Sequence, residues 1–266
     1  MGRIGRVATM GRWNFDWLYV AILALGIVGC SDSKQALPRQ PEQAQPSKPV
    51  TPSDVKTISR GMHEFFEQTM RARDAIINGD VASAKKALEM LAAQELGTTT
   101  LSLEWSTQLE RWRAVARLGG HSKSLEEAAA SVSKWGAQCG QCHQALRKGP
   151  EFDPSGWVED TDDLQAHMFL LTWASDRMWE GLTEPWDRAW RVGAETLVEA
   201  PIKLSALKKK LGPKLSNAPD YARDLQRIGE MALSQKDAEA RAEAFGQVLL
   251  TCASCHSAVR DKAQPK

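Results

Sequence analysis

Two five-residue segments, Cys139-Gly140-Gln141-Cys142-His143 and Cys252-Ala253-Ser254-Cys255-His256, repeat one pattern 113 residues apart. Two cysteines three apart on a helix share a face, and the histidine that follows projects beside them. One helical turn thus offers two thiols and an imidazole to a single flat group. This is the spacing that holds haem by two thioethers and gives its iron a ligand. Zinc sites and redox dithiols also use C-x-x-C, so a shared four-cysteine zinc site or two labile disulfides are the rival chemistries. Of the five cysteines, Cys30 lies near the N-terminus and the other four all belong to the two motifs. Four free thiols in an exported chain would be open to oxidation, whereas thioether linkage consumes every one of them. The expectation is two covalently bound haem c groups on Cys139, Cys142, Cys252 and Cys255, with His143 and His256 as iron ligands.

The elements that must carry these motifs read as helices. Beyond Asp54 apolar residues recur at helical spacing and strand signals are scarce. In the first half, helices are expected over Val55 to Asn78, closed by Gly79, then Asp80 to Leu96, and Thr99 to Leu118, broken at Gly119-Gly120. A fourth begins at Ser124, whose spacing to Glu127 matches a capping box, and runs to Lys148. After a loop from Gly149-Pro150 to Gly156 the second half follows with Asp162 to Gly181. Thr183 reads as an N-cap before Pro185, opening a helix to Val198. A loop with a short helix and the lysine run Lys208 to Lys210 covers residues 200 to 219, and Asp220 to Ser234 and Asp237 to Arg260 complete the half. Both motifs fall on apolar stripes: Trp135, Cys139, Cys142 and Leu146 in one, Phe245, Val248, Cys252, Cys255 and Val259 in the other. The haems are therefore expected inside helical bundles. The fold expected is all-α, two tandem four-helix bundles over residues 54–150 and 155–262, each ending in its attachment motif.

Length and charge narrow the remaining classes. The chain has 266 residues, 42% apolar and 25% charged, which excludes wholesale disorder and a many-span membrane protein. Lys plus Arg total 34 against 33 for Asp plus Glu, a balance that speaks against a nucleic-acid binder. Arg3, Arg6 and Arg12 precede a 13-residue apolar run from Leu18 to Cys30, the layout of an export signal and too short for a comfortable membrane span of roughly 20 residues. Its end, Ile27-Val28-Gly29-Cys30, resembles the lipobox of bacterial lipoproteins. That resemblance implies a signal peptide over residues 1–29, acylation of Cys30, and, with Ser31 next, sorting to the periplasmic side of the outer membrane. Loss of residues 1–29 takes the formal charge from +1 to −1. Residues 30–53, rich in Gln and Pro, read as an extended tether that stands the protein off its membrane.

Only ten residues follow His256, so any sixth iron ligand must come from upstream. A late motif on the last helix of a four-helix bundle resembles class II c-type cytochromes, the cytochrome c′ group, over residues 54–148 and 160–262. The resemblance implies a distal residue on the first helix of each half. His167 lies there on a stripe with Leu164, Leu171, Ala174, Met178 and Leu182. In the first half His63 is its expected counterpart, lying toward the edge of the stripe Ile58, Met62, Phe65, Thr69 and Ile76; Met62 competes for the role. His121, in the Gly119-Gly120 loop, is expected at the surface. The tryptophans, ten against two tyrosines, are expected to pack around the macrocycles. Arg147, Lys148, Arg260 and Lys262 are placed to meet haem propionates or the helix C-terminus. The function expected is electron transfer by a bis-histidine dihaem protein, not an enzyme, serving redox partner proteins of the cell envelope. The alternative is a gas-binding protein with at least one five-coordinate haem. A dihaem peroxidase is weaker, since no acid and base set surrounds an open site.

Overall fold

The computed structural model describes residues 52–96, 103–147, 149–150, 163–200 and 218–261, with 205, 207 and 209 between the last two stretches. The apolar run, Cys30 and the tether to residue 51 lie outside them, as do Lys148, Lys208, Lys210, Lys262 and the loop 151–162. Among the described residues every regular element is an α-helix, so the chain is all-α. The helices are α1 (Pro52–Ile77), α2 (Val81–Ala93), α3 (Leu103–Gly120), α4 (Leu125–Leu146), α5 (Leu164–Thr183), α6 (Asp187–Glu199), α7 (Ala218–Ala232) and α8 (Ala238–Asp261). None of them is long and apolar enough to cross a membrane.

Local chemistry sets most of these ends. Gly79 at φ +69° closes α1 in a Schellman turn, its N–H donating to the Ile76 carbonyl at 2.7 Å and that of Asp80 to Ala75 at 2.8 Å. The Asp80 carboxylate then accepts the Ser83 N–H at 2.9 Å and starts α2. Ser124 accepts the Glu127 N–H at 3.2 Å, while the Glu127 carboxylate accepts from the Lys123 N–H at 2.6 Å, one residue short of an ideal capping box. Asp163 and Asp237 cap α5 and α8 through the N–H groups of Ala166 and Ala240. Two expectations are corrected. Thr183 does not cap α6: its hydroxyl donates back to the Trp179 carbonyl at 3.0 Å, which keeps it in the last turn of α5, and α6 begins at Asp187. Gly119 and Gly120 do not break α3 but form its end, where a Cβ on Gly119 would stand 2.8 Å from Leu88; the missing side chain lets α3 close on α2.

Helices adjacent in sequence pack on one another, α1 on α2 on α3 on α4 and α5 on α6 on α7 on α8. The halves then join through the two motif helices, with α4 lying along α8 and further contact of α4 with α5 and of α1 with α8. The seam is made of small residues. A Cβ on Gly246 of α8 would sit 3.3 Å from Ser133 Oγ of α4, so the helices touch almost backbone to backbone. Ser133 and Gly246 are 113 residues apart, the same step as the motifs, so repeat-equivalent residues meet at the crossing. The pair runs antiparallel, because Gly140 and Gln144 near the end of α4 share a small cleft with Ala238 and Arg241 at the start of α8. Large side chains fill the flanks, with Phe65, Trp112 and Trp135 clustered in the first half and Trp179 tilted against Phe245 beside the seam. Each such buried side chain contributes about 1.5–3 kcal/mol. Across the seam, buried Arg73 of α1 donates to the Asp176 carboxylate of α5 at 2.6 Å, tying first helix to first helix.

Candidate haem sites

In the first motif Cys142 is buried and Cys139 half-buried, both on the α4 stripe with fully buried Trp135. Cys252 and Cys255 are half-buried on α8, behind fully buried Phe245 and Val248. Burial raises all four thiols, Cys142 to about 11 and Cys252 to about 12. A redox-active dithiol needs the opposite, a thiolate stabilised near neutral pH. Among the described residues no three His, Cys, Asp or Glu side chains converge as a metal-holding cluster.

The motif histidines are held in a matched way. His143 Nδ1 lies 2.8 Å from the carbonyl of Thr183, the last residue of α5, and His256 Nδ1 lies 2.9 Å from the carbonyl of Ile77, the last residue of α1. A carbonyl only accepts, so each Nδ1 carries the proton, and the neutral ring keeps its lone pair on Nε2. Burial pushes the His143 imidazolium below its usual range, against the pull of the Thr183 carbonyl, which keeps that ring neutral. Gly149, just past α4, lies against the His143 ring, where a Cβ would come within 3.2 Å. Arg147 makes this return with φ +51°, a left-handed conformation that a non-glycine residue adopts at a cost. Two thiols, buried or half-buried, and an imidazole with its Nδ1 committed elsewhere on one helix face are what a covalently attached haem requires, so both motifs fit the group.

Each acceptor comes from the other half of the chain, and together they fix the register between the halves. Ile77 and Thr183 stand 106 residues apart, which pairs His167 with Gly61 and His63 with Phe169. Exposure follows this pairing. Gly61 and His167 are buried, His167 fully, whereas His63 and Phe169 are both exposed, Phe169 by 57%. By this register the expected partners His63 and His167 stand two residues apart, about 200° of helix, and of the two only His167 is buried. Gly61 offers no side chain there, and Leu96 packs over it, 2.8 Å from where a Cβ would stand. Met62 is half-buried against the core. His121 is exposed, as expected.

Sequence reasoning did not find Ile77 or Thr183, because a main-chain acceptor leaves no side-chain signature. Gly140 had a signal. It occupies a motif position where the second copy has Ala253, and a Cβ there would stand 2.3 Å from the Leu182 carbonyl oxygen. Glycine is needed for α5 to reach His143. No family model, no curated protein and no solved structure matches the chain.

Proposed function

We propose that the chain is a dihaem c-type electron-transfer protein, built as two tandem four-helix bundles and held on the periplasmic side of the outer membrane by a lipid on Cys30. The observation that carries this reading is the repeated one: in both C-x-x-C-H motifs the histidine Nδ1 is committed to a main-chain carbonyl, leaving Nε2 as an iron ligand. Cys139 and Cys142 would anchor the first haem and Cys252 and Cys255 the second. When bound, haem iron supplies one-electron chemistry by alternating between its ferric and ferrous states. The chain's contribution is to ligate through His143 and His256, raise their basicity through the Nδ1–H bonds and exclude water with the aromatic core. Fully buried His167, on the first helix of the second half, is the distal ligand proposed for the second haem; it would saturate that iron.

The first half supports a second reading. His63 faces outward and Gly61 occupies the position equivalent to His167, so the first haem would be five-coordinate or ligated by Met62. A five-coordinate iron there would take up a small diatomic gas such as NO or CO. Optical spectra of the ferric and ferrous protein, with and without CO, test both. One low-spin haem inert to CO beside one that binds it is the expected pattern. Rapid CO uptake with a high-spin ferric signature in both haems would discard the carrier reading. His167→Ala should turn the second haem alone high-spin; an unchanged spectrum removes His167 as a ligand.

A further inference from the structure

Both motif histidines stand ten residues beyond the Ser133–Gly246 crossing, about 15 Å of helix each, on helices that run in opposite directions. His143 and His256 are therefore about 30 Å apart, at opposite ends of the α4–α8 pair. Direct contact between the two sites is ruled out by this spacing. What joins them is the first helix of each half. α1 carries Gly61 and Met62 and ends in the carbonyl that holds His256; α5 carries His167 and ends in the carbonyl that holds His143. Arg73 and Asp176 lock the two helices to each other between these ends.

Resting on the haem reading above, we infer that each first helix sets the reduction potential of the haem in the opposite half, with the Thr183 and Ile77 carbonyls as crossed positioning groups. A hydrogen bond from Nδ1–H to a carbonyl makes the imidazole a stronger donor to iron and favours the ferric state. Moving the end of α5 away from His143 then weakens that donation and raises the potential of the first haem.

Two variants of the full chain separate the arms. Gly140→Ala places a Cβ 2.3 Å from the Leu182 carbonyl oxygen, a main-chain atom that cannot swing aside, and drives α5 off His143. Gly79→Ala strains the φ +69° turn that presents the Ile77 carbonyl, and its Cβ would meet Ser257 Oγ and Arg260 Nη2 at 2.5 Å. Spectroelectrochemical titration of the haem-loaded protein, with the iron–histidine stretch read by resonance Raman, is the measurement. Gly140→Ala should raise the potential and lower the stretching frequency of the first haem only, and Gly79→Ala should raise the potential of the second haem only. Equal movement of both haems, or no movement of either with haem attached, overturns the crossed assignment. If Gly140→Ala fails to fold, Gly79→Ala decides the matter at the other site. A wild-type protein that holds no haem fails the underlying reading instead.

Discussion

Gly193→Ala should destabilise the protein, against the usual trend for a helix interior. In an open helix alanine is favoured over glycine by about 0.8–1.0 kcal/mol. Gly193 of α6, however, faces α5 so closely that a Cβ would stand 2.4 Å from the Ala174 carbonyl oxygen and 2.8 Å from the Met178 nitrogen. Gly181 of α5 returns the contact, with a Cβ that would stand 2.4 Å from the Trp190 nitrogen. Ordinary contact begins near 3.4 Å, so α6 must retreat by about an ångström from main-chain atoms that have no rotamer to yield. Overpacking costs about 1–3 kcal/mol, and atoms of this kind put it at the upper end. Net of propensity the loss is about 2 kcal/mol, or about 4–8 °C in Tm for a unit of roughly this size. Gly246→Ala is the internal control, since its Cβ meets nothing closer than Ser133 Oγ at 3.3 Å, a side chain that can give; it should be neutral or raise Tm slightly. Thermal unfolding followed by circular dichroism reads both. A Gly193→Ala protein as stable as wild type, or more so, refutes the idea that glycine is there to let α5 and α6 touch.

Arg147→Gly relieves a left-handed residue at the end of α4 and should stabilise by roughly 1 kcal/mol, read as a higher denaturant midpoint. Burial pushes the Glu180 carboxyl up to about 7, against the pull of neighbouring Arg177, and its Oε2 is buried without a hydrogen-bond partner. The folded state therefore holds that proton more tightly than the unfolded chain. Stability should fall as pH rises from about 4.5 to about 7, by about 3 kcal/mol at ~1.4 kcal/mol per pH unit, and then level off. Glu180→Gln should flatten this slope in a series of urea titrations; an unchanged slope places the titration elsewhere.

The helices were legible because their signals are local. Asp80, Ser124, Asp163 and Asp237 sit where a capping side chain must, and Gly79 where a left-handed residue is needed. The motif residues were legible because two copies of one residue type and spacing stand out in the sequence, and covalent haem attachment would demand both. What periodicity could not supply was the phase between the halves. His63 and His167 look equivalent in sequence because both are histidines on a first helix, yet a two-residue slip turns one of them outward. That phase is set by tertiary contacts, Ile77 against His256 and Thr183 against His143, which no single helix encodes. The joining of the halves was hidden for a related reason. Ser133 and Gly246 are ordinary small residues until the two helices meet, and only the crossing shows why bulk is absent there.

Both late pentapeptides should carry covalently bound haem. Intact-mass analysis of protein made in a host competent for cytochrome c maturation, followed by peptide mapping, tests it most directly. Two haem masses per chain are expected, one on the peptide holding Cys139 and Cys142 and one on the peptide holding Cys252 and Cys255. A colourless protein of polypeptide mass, with all four thiols open to alkylation, would contradict it.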